Sequence, residues 1–441
     1  MHLRFWGTRG SIATPGASTL RYGGNTSCVE VVTNAGHRFI FDCGTGARAL
    51  GGYLLANAPK PTTGTILLSH THWDHIQGFP FFVPLFIPGN RFTVGGPRGA
   101  NSSLPEVLSG QMEYTYFPVE LGQLGAQIIY RDLNEGAHEF DGVRVTAQFL
   151  NHPAIALGYR IEADDVSLLY LCDHEPYWEA LWRSDAEPGR LESILHDGDR
   201  RHAAFMQNAD VVIHDAQYTP EEYPAKKNWG HSTYTYVAQI AAAANVKRLF
   251  LTHHDPTHSD DFLDEVERKA REVAASLGSP VRISCAMEGY EEAVEPSGAA
   301  HPAVNEVRDS EQAPGGSLLV LVVDDDEDLR LLVRKALTKL GHRVLEAPGG
   351  QEGLDMIRAQ RPDLVLLDLF MPPPDGFEVL KALRARPETR LLPVVVLTAH
   401  GEEESARSSF DLGATDFLAK PFTPPQLDAR VRSCFARAAK Q

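Results

Sequence analysis

The chain lacks any long hydrophobic run. None of its 441 residues lies in a stretch that approaches the ~20 consecutive apolar residues of a membrane helix, and the apolar segment 79–87 is broken by Pro80 and Pro84. The first residues enter a strand-like pattern at once, without a basic and then apolar leader. These absences predict a cytoplasmic protein that neither binds nor crosses a membrane.

Cysteine is scarce, and positive charge is not in excess. The five cysteines are an odd number without paired spacing, which is typical of reduced thiols rather than of a disulfide framework. The net charge is −17, of which −15 falls on residues 1–316 and −2 on residues 317–441. A chain this acidic is not expected to bind DNA or another long polyanion, although a small phosphate diester could still bind at a metal centre.

The sequence divides near residue 300. Residues 291–317 are rich in alanine, proline, glycine, serine and glutamate and show no regular period, which predicts a flexible linker over 293–316. The first part, 1–292, mixes strands and helices. The second part, 317–441, alternates strand and helix regularly, which predicts a parallel sheet with helices on both faces.

The most informative segment is Ser-His-Thr-His-Trp-Asp-His at 69–75, directly after the apolar run 65–68. A strand followed by a loop can fold these side chains around one point, with His70 and His72 on one ion and Asp74 and His75 on a second. Two adjacent cations can clamp a substrate oxygen and make hydroxide available near neutral pH. A polar loop with accidental histidines is the weaker interpretation of so dense a motif.

This motif resembles that of the metallo-β-lactamase superfamily, and the resemblance implies an αββα sandwich. It also implies that His152, Asp173 and His253 complete the ligand set at strand ends, with Asp173 bridging the two ions. Asp42, in an aspartate-glycine-type turn, is implied to brace the metal loop. Position 72 is His rather than the Glu that resembles an oxygen-reducing di-iron branch, so hydrolysis is favoured over redox chemistry.

The implied ligands form two overlapping groups. One ion would be held by His70, His72, His152 and Asp173, and the other by Asp74, His75, His253 and Asp173. Mixed histidine and aspartate ligands suit two divalent transition-metal ions, expected to be zinc, with manganese or iron as the alternatives. Asp74 is also expected to take part in catalysis.

A further histidine is implied to act on the substrate. The segment Gly-His-Ser-Thr at 230–233 places His231 22 residues before His253. It resembles the histidine motif of the ribonuclease Z and phosphodiesterase branch, in which the histidine donates a proton to the leaving oxygen or stabilises developing charge. The alternative is a helix-start residue beside a serine N-cap. Only 20 residues separate His152 from Asp173, too few for the tRNA-binding arm of ribonuclease Z.

Three features near these motifs are left open by the sequence. The extra length between Asp173 and Asp210 could be a substrate lid or a surface insertion. Asp215, after the strand 211–213, could support the ligands. Three aromatic side chains could wall the substrate site or simply pack: Tyr218, Tyr223 and Trp229.

In the second part, polar residues follow four strand-like runs in order. Asp324 and Asp325 follow the run 318–323, and Asp368 follows the run 364–367. Thr398 follows the run 394–397, and Lys420 follows the run 417–419. Residues just past the ends of parallel strands gather in one crevice. Three carboxylates there can hold Mg²⁺, and a hydroxyl and an ammonium can bind a phosphoryl group.

This part resembles a response-regulator receiver domain, a (βα)5 doubly wound, flavodoxin-like fold. The resemblance implies that Asp368 accepts phosphate from a cognate sensor histidine kinase. The implied magnesium positions are Asp324, Asp325, Asp368 and Phe370. The implied switch residues are Thr398, Phe417 and Lys420.

The sequence therefore predicts a two-component response regulator whose output is an N-terminal dinuclear metal-dependent hydrolase. A phosphodiesterase acting on a small substrate and controlled by phosphorylation of Asp368 is the favoured function, because no DNA-binding segment is recognisable. A lactone or thioester hydrolase on the same site and a non-catalytic metal-binding regulator are the alternatives. The receivers could also form a homodimer.

Overall fold

The computed structural model describes residues 1–97, 103–178, 180–296, 317–399 and 412–420, and the single positions Phe422, Leu427, Arg430, Val431 and Cys434. The chain forms two compact units, Met1–Glu311 and Gln312–Gln441. The predicted linker 293–316 lies outside the described residues from position 297 onwards. Within the described ranges, no helix combines the length and the apolar character that crossing a membrane requires.

The first unit is built on two seven-stranded sheets. Its strands are β1 (His2–Gly7), β2 (Cys28–Val32), β3 (Arg38–Phe41), β4 (Thr63–Leu67), β5 (Arg91–Pro97), β6 (Gln127–Leu133), β7 (Gly136–Phe140), β8 (Val143–Phe149), β9 (Leu157–Ala163), β10 (Val166–Leu171), β11 (Val211–Asp215), β12 (Arg248–Thr252), β13 (Arg282–Cys285) and β14 (Glu291–Ala293). One sheet has the order β14-β1-β2-β3-β4-β5-β6, and the other has the order β13-β12-β11-β10-β9-β8-β7.

Helices cover the outer face of each sheet. The described helices of this unit are α1 (Gly46–Asn57), α2 (Trp73–Ile76), α3 (Leu104–Gln111), α4 (Asp197–Phe205), α5 (Tyr234–Ala243) and α6 (Asp260–Ser276). Leu50 of α1 and Leu108 of α3 share a buried cluster with Ile66 of the first sheet. Val237 of α5 shares another with Leu249 of the second sheet. The layers are therefore helix, sheet, sheet, helix.

The centre of the sandwich is the apolar layer between the two sheets. Phe39 and Phe41 from the first sheet lie in one buried cluster with Tyr159, Tyr170 and Phe250 from the second. The strands β10, β11 and β12 are buried along their whole length. Their continuous apolar sequences follow from this position, because each of these strands is covered on both faces. The ends of this rigid pair of sheets carry the candidate site.

Local sequence explains the helix boundaries. The Ser259 side chain accepts a hydrogen bond from the Phe262 N–H at 3.3 Å and caps α6, and Asp260 and Asp261 lie in its first turn. Buried residues then recur at the helical spacing as Leu263, Val266, Ala270 and Ala274. The helix therefore begins at Asp260, directly after its capping serine.

The segment between Asp173 and Asp210 is packed into the fold. It contains α4, and four of its apolar side chains lie in the cluster beneath the helices of the second sheet: Leu181, Ile194, Ala203 and Met206. Tyr236 of α5 also donates a hydrogen bond to Asp199 of α4 at 2.7 Å. These contacts make the α4 part of the segment a structural layer rather than a separate lid.

The second unit is a parallel five-stranded sheet with helices. Its strands are β15 (Leu319–Val323), β16 (Arg343–Ala347), β17 (Leu364–Asp368), β18 (Val394–Ala399) and β19 (Asp416–Lys420), in the order β16-β15-β17-β18-β19. The described helices are α7 (Glu327–Lys339), α8 (Gly350–Gln360) and α9 (Gly376–Arg384). Buried clusters lie on both faces of the sheet. This is the doubly wound arrangement that the sequence predicts.

Candidate metal centre and phosphorylation site

The candidate metal ligands lie where strands of both sheets end. Residues 70–75 follow β4, Asp173 follows β10, and His253 follows β12. The strands β10, β11 and β12 are parallel and in register, with Leu171 opposite His214 and His214 opposite Leu251. Side chains just past these ends therefore meet at one edge of the sandwich.

The first group comprises His70, His72, His152 and Asp173, whose donor atoms all lie within 4.8 Å of one another. His72 Nδ1 lies 3.2 Å from His152 Nε2. His70 Nε2 lies 3.5 Å from Asp173 Oδ2. The four side chains thus point at a common centre.

The second group surrounds the other carboxylate oxygen of Asp173. Asp173 Oδ1 lies 3.4 Å from His75 Nε2 and 3.2 Å from His253 Nε2. Asp74 Oδ2 lies 3.3 Å from His75 Nε2 and 3.0 Å from His253 Nε2. The Cys172 thiol, which precedes Asp173 in the chain, also lies among these donors. Burial raises the pKa of Cys172, which keeps it a thiol.

In three of the candidate ligand histidines, hydrogen bonds determine which ring nitrogen faces the centre. His75 Nδ1 donates to Asp42 Oδ2 at 2.7 Å, His152 Nδ1 to the Gly230 carbonyl at 3.1 Å, and His253 Nδ1 to Gln217 Oε1 at 2.9 Å. Each Nε2 atom is then left with its lone pair turned inwards. Second partners of this kind fix the tautomer that a metal ligand needs.

Asp42 positions the candidate metal-binding loop, residues 69–75, through hydrogen bonds. Its two carboxylate oxygens accept hydrogen bonds from the Ser69 N–H, the Ser69 hydroxyl, the Tyr170 hydroxyl and His75 Nδ1, at 2.7 to 2.8 Å. It is fully buried, and its φ of 57° lies in the left-handed region. The predicted brace is therefore in place, and Tyr170 is a partner that sequence reasoning missed.

The donor set fits divalent cations. Three buried atoms in the two groups have no hydrogen-bond partner: His70 Nε2, His75 Nε2 and Asp173 Oδ1. Burial lowers the pKa of His152 to about 3, so its ring is neutral and can act as a ligand. Burial also disfavours a charged His75, but Asp74 and its neighbouring carboxylates outweigh burial and raise the pKa of His75. The group therefore has surplus negative charge that bound cations would neutralise.

Strained backbone is concentrated at this edge. Ser11, Asp42, Asp173 and His253 have φ values of 62°, 57°, 63° and 60°. Left-handed conformations of non-glycine residues persist where the surrounding structure imposes them, which is common at functional sites. Ser11 donates its backbone N–H to Asp74 Oδ2 at 2.7 Å and so orients a candidate ligand. A Cβ atom at the preceding Gly10 would lie 2.4 Å from the His253 ring.

His231 lies beside the metal groups and is held by Asp215. Its Nδ1 is 3.2 Å from Asp215 Oδ2 and 4.0 Å from Asp173 Oδ2, and its ring stacks on His253 with centroids 4.9 Å apart. Burial disfavours the charged ring, but the carboxylates of Asp215 and Asp173 outweigh it and raise the pKa of His231 to about 9. Cations bound nearby would oppose this effect.

Asp215 is better explained as a brace than as a ligand. Asp215, His231 and His253 also lie within 4.8 Å of one another. However, Asp215 Oδ2 already accepts hydrogen bonds from the backbone N–H groups of His174 and Ser232 and faces His231 Nδ1. Asp215 Oδ1 accepts a hydrogen bond from the Gln217 N–H. A carboxylate with these donors orients its neighbours.

Several residues near the site differ from the sequence-based alternatives. The N-cap of α5 is Thr233, which accepts from the Tyr236 N–H at 3.2 Å, and not a serine beside His231. Tyr218 is buried, whereas Trp229 is exposed over 56% of its surface.

The supporting hydrogen bonds of three residues could not be predicted from the sequence: Ser11, Tyr170 and Gln217. These hydrogen bonds, to Asp74, Asp42 and His253, join positions 63, 128 and 36 residues apart. Glu175 was also missed. Its one signal in the sequence is an acidic residue two positions after the candidate ligand Asp173.

In the second unit, three carboxylates gather at the ends of β15 and β17. Ligand atoms of Asp324, Asp325 and Asp368 lie within 4.8 Å of one another. Lys420 Nζ lies 2.7 Å from Asp324 Oδ2 and 3.2 Å from Asp368 Oδ2. Burial raises the pKa of Asp324. The third aspartate of the run, Asp326, instead caps α7 through the Asp328 and Leu329 N–H groups.

The remaining receiver positions lie around this cluster. Phe370 donates its N–H towards Asp368 Oδ1 at 3.4 Å, and its ring is 51% exposed. Thr398 lies on β18 and Phe417 on β19, but their side chains are outside the part of the chain that is described. The spatial relation between carboxylates and lysine is nevertheless the one implied for phosphoryl binding.

Comparison with known families assigns both units. The Beta-lactamase superfamily domain family matches residues 37–254, and the Response regulator receiver domain family matches residues 320–432. The chain is a response regulator receiver joined to a metallo-β-lactamase superfamily domain. A metallo-β-lactamase superfamily domain is expected to act as a hydrolase-like output. The cluster of ligands after its strands is expected to bind divalent metal ions.

Individual relatives match one domain at a time. The transcriptional regulatory protein AfsQ1 of Streptomyces coelicolor is 38% identical over 122 residues, which is 28% of this chain and 53% of AfsQ1. The chain spans about half the length of the curated relatives it matches. A putative response regulator from Chloroflexus aurantiacus is 36% identical and covers 27% of this chain and 99% of its own, with a TM-score of 0.27.

The metallo-β-lactamase domain also has a solved counterpart. The metallo-β-lactamase fold protein YhfI of Bacillus subtilis covers 66% of this chain and 98% of its own, at 17% identity and a TM-score of 0.46. The two family matches confirm the predicted fold classes of both domains. The substrate, the metal and the role of each site residue are matters for the chemistry of the site.

Proposed function

We propose that the metallo-β-lactamase domain is a zinc-dependent phosphodiesterase for small substrates, and that phosphorylation of Asp368 in the receiver domain controls it. The observation that carries this proposal is the position of His231. A histidine held by Asp215 stands beside Asp173, the carboxylate shared by both ligand groups. It supplies a proton donor at a centre whose other histidines are turned inwards as ligands.

When bound, two divalent ions would polarise the phosphoryl oxygens and lower the pKa of a water molecule. The residues of the chain do the rest. Asp173 holds the two groups together through its separate oxygens, and Asp74 is oriented by the Ser11 N–H. His231 keeps Nδ1 on Asp215, which leaves Nε2 to donate a proton to the leaving alkoxide.

A proton donor at His231 favours a phosphodiester over the other candidate substrates. A thioester releases a good leaving group and needs little proton donation. A lactone is neutral and gains less from a site that combines metal ligands with an imidazole held by a carboxylate. An anionic phosphodiester with a poor alkoxide leaving group uses both features. The acidic charge of residues 1–316 supports a small substrate rather than a nucleic acid.

The receiver domain supplies the proposed control. Asp324, Asp325 and Asp368 would hold Mg²⁺, and Lys420 lies within 3.2 Å of the Asp368 carboxylate, where it can bind an added phosphoryl group. A cognate sensor histidine kinase is the proposed phosphoryl donor. The hydrolase is the proposed output of this signal.

A substrate panel tests the proposal. Zinc-loaded full-length protein and Asp173→Ala protein would be assayed with methyl p-nitrophenyl phosphate, a homoserine-type lactone and an acyl thioester. We expect turnover of the phosphodiester by the wild type and none by the variant, which loses the shared carboxylate. Faster turnover of the lactone or thioester, or equal rates in the two proteins, would contradict the proposal.

A further inference from the structure

Trp229 exposes more than half of its surface directly beside the metal centre. The next residue, Gly230, accepts a hydrogen bond from His152 Nδ1 at 3.1 Å. A Cβ atom on Gly230 would lie 2.0 Å from the same nitrogen, and its φ of +92° also favours glycine. The indole is therefore attached one residue away from a backbone group that touches a candidate ligand.

A buried carboxylate holds the backbone that carries this exposed indole. Glu175 Oε1 accepts hydrogen bonds from the Asn228 N–H at 2.7 Å and the Tyr223 hydroxyl at 2.9 Å, and Oε2 accepts from the Gly230 N–H at 2.8 Å. These bonds fix the backbone on both sides of Trp229. A side chain that is already positioned loses little entropy when a ligand stacks on it.

A lysine ammonium lies beside this indole. Lys226 Nζ is 4.2 Å from the centroid of the Trp229 ring, which is a cation–π contact, and 5.8 Å from that of Tyr218. Trp229 remains 56% exposed despite this contact. An exposed indole with a nearby ammonium, in an otherwise acidic domain, matches a ligand that combines a flat ring with negative charge.

We propose that Trp229 and Lys226 form a subsite for the base of a nucleotide substrate, with the indole stacking on the base and the ammonium near its phosphate. This inference rests on the proposed phosphodiesterase function and narrows its substrate class. His152 contacts the Gly230 carbonyl, and His231 directly follows Gly230 in the chain, so a base on Trp229 leaves the phosphate within reach of the metal centre.

Calorimetric titration of zinc-loaded, full-length protein with AMP and with ribose 5-phosphate isolates the base. Base stacking on an aromatic ring predicts that AMP binds about 5- to 100-fold more tightly. Trp229→Leu should bring the ratio close to one, and Trp229→Phe should restore most of it. Tyr53→Leu is the matched control, because the Tyr53 ring is 38% exposed but packs on Arg4 and Trp6. Lys226→Met should weaken both ligands alike.

A wild-type ratio near one, absence of AMP binding, or a ratio that survives in Trp229→Leu would overturn the subsite. Failure of the proposed function is seen separately, with methyl p-nitrophenyl phosphate, which has no base. Turnover of that diester without AMP preference removes only the subsite. AMP preference that depends on Trp229, without turnover of any diester, removes only the phosphodiesterase.

Discussion

At the residue scale, hydrogen bonds set the proton position on three candidate ligand histidines. Asp42, the Gly230 carbonyl and Gln217 each hold the Nδ1 proton of a different ring, so the opposite nitrogen can bind an ion. Asp215 holds Nδ1 of His231 in the same way, which would leave Nε2 of His231 for the proposed proton donation.

His231→Ala should keep its metals and lose about 10²- to 10⁴-fold in kcat with a poor alkyl leaving group. The loss should be much smaller with nitrophenol, which leaves without a proton. The measurement is kcat for both classes of diester, with metal content determined on the same samples. An equal loss with good and poor leaving groups would show that His231 has a structural role. Asp215→Asn should show a weaker form of the same pattern.

Asp199 provides a test of buried charge outside the centre. Burial raises its pKa from 3.8 to about 7. Because the folded state holds the proton more tightly than the unfolded state, the contribution of Asp199 to stability is greatest below pH 4 and is lost as the pH rises towards 7.

Asp199→Asn keeps an oxygen to accept from Tyr236 but cannot ionise. Its free energy of unfolding relative to wild type should therefore rise by about 2–3 kcal/mol between pH 5 and pH 8. All five tryptophans lie before residue 230, so their fluorescence during denaturation reports on the first unit. A pH-independent difference between the two proteins would rule out a raised pKa.

The candidate ligands could be predicted from the sequence, but several of their hydrogen-bond partners could not. The dense motif at 69–75 and the positions after strands were enough to name seven candidate ligands, and the structure brings their donor atoms together. The partners Ser11, Tyr170 and Gln217 were missed. They act through a backbone N–H, a core hydroxyl and a loop amide, none of which has a sequence pattern, and the contacts arise only when distant segments meet.

At the element scale, strand ends from both sheets supply the ligands. Elements with alternating or continuous apolar sequence were predicted well, and β12 begins and ends where its pattern does, at Arg248 and Thr252. The segment 174–209 could not be predicted, because its burial depends on contacts such as that of Tyr236 with Asp199. Its apolar residues are too scattered to show a helical or strand period.

Since the ligands join the two sheets, metal removal should destabilise the first unit. An ion that binds only the folded state at about 1,000 times its dissociation constant contributes about 4 kcal/mol. Treatment with a transition-metal chelator should therefore lower the denaturation midpoint followed by tryptophan fluorescence, and added zinc should restore it. Asp173→Ala provides the control, because its midpoint should respond little to either treatment. A chelator-independent midpoint in the wild type would contradict a metal centre that spans both sheets.

At the scale of the whole molecule, the proposed control requires the receiver to influence a separate domain. Addition of a phosphoryl group at Asp368 would compete with Asp324 for Lys420, which now bridges the two carboxylates at 2.7 and 3.2 Å. Because the change begins at the single ammonium of Lys420 and must act on another unit, its effect on the hydrolase is expected to be small. We expect a coupling free energy of about 1–3 kcal/mol.

This coupling predicts a change of about 5- to 150-fold in hydrolase rate or substrate affinity when the protein is treated with acetyl phosphate or beryllofluoride. The change should be absent in Asp368→Ala. If Asp368 is demonstrably modified while rate, affinity and oligomeric state all stay the same, the receiver acts on another protein rather than on this hydrolase.

The proposed function requires a dinuclear, metal-dependent phosphodiesterase in this chain. Metal-free full-length protein would be titrated with zinc while the hydrolysis rate of methyl p-nitrophenyl phosphate is measured at each step. The rate should rise with bound zinc and reach its plateau near two ions per chain, with no rise in Asp173→Ala. A rate that stays at the background level at two bound ions per chain, or that is already maximal without metal, would contradict the proposed function.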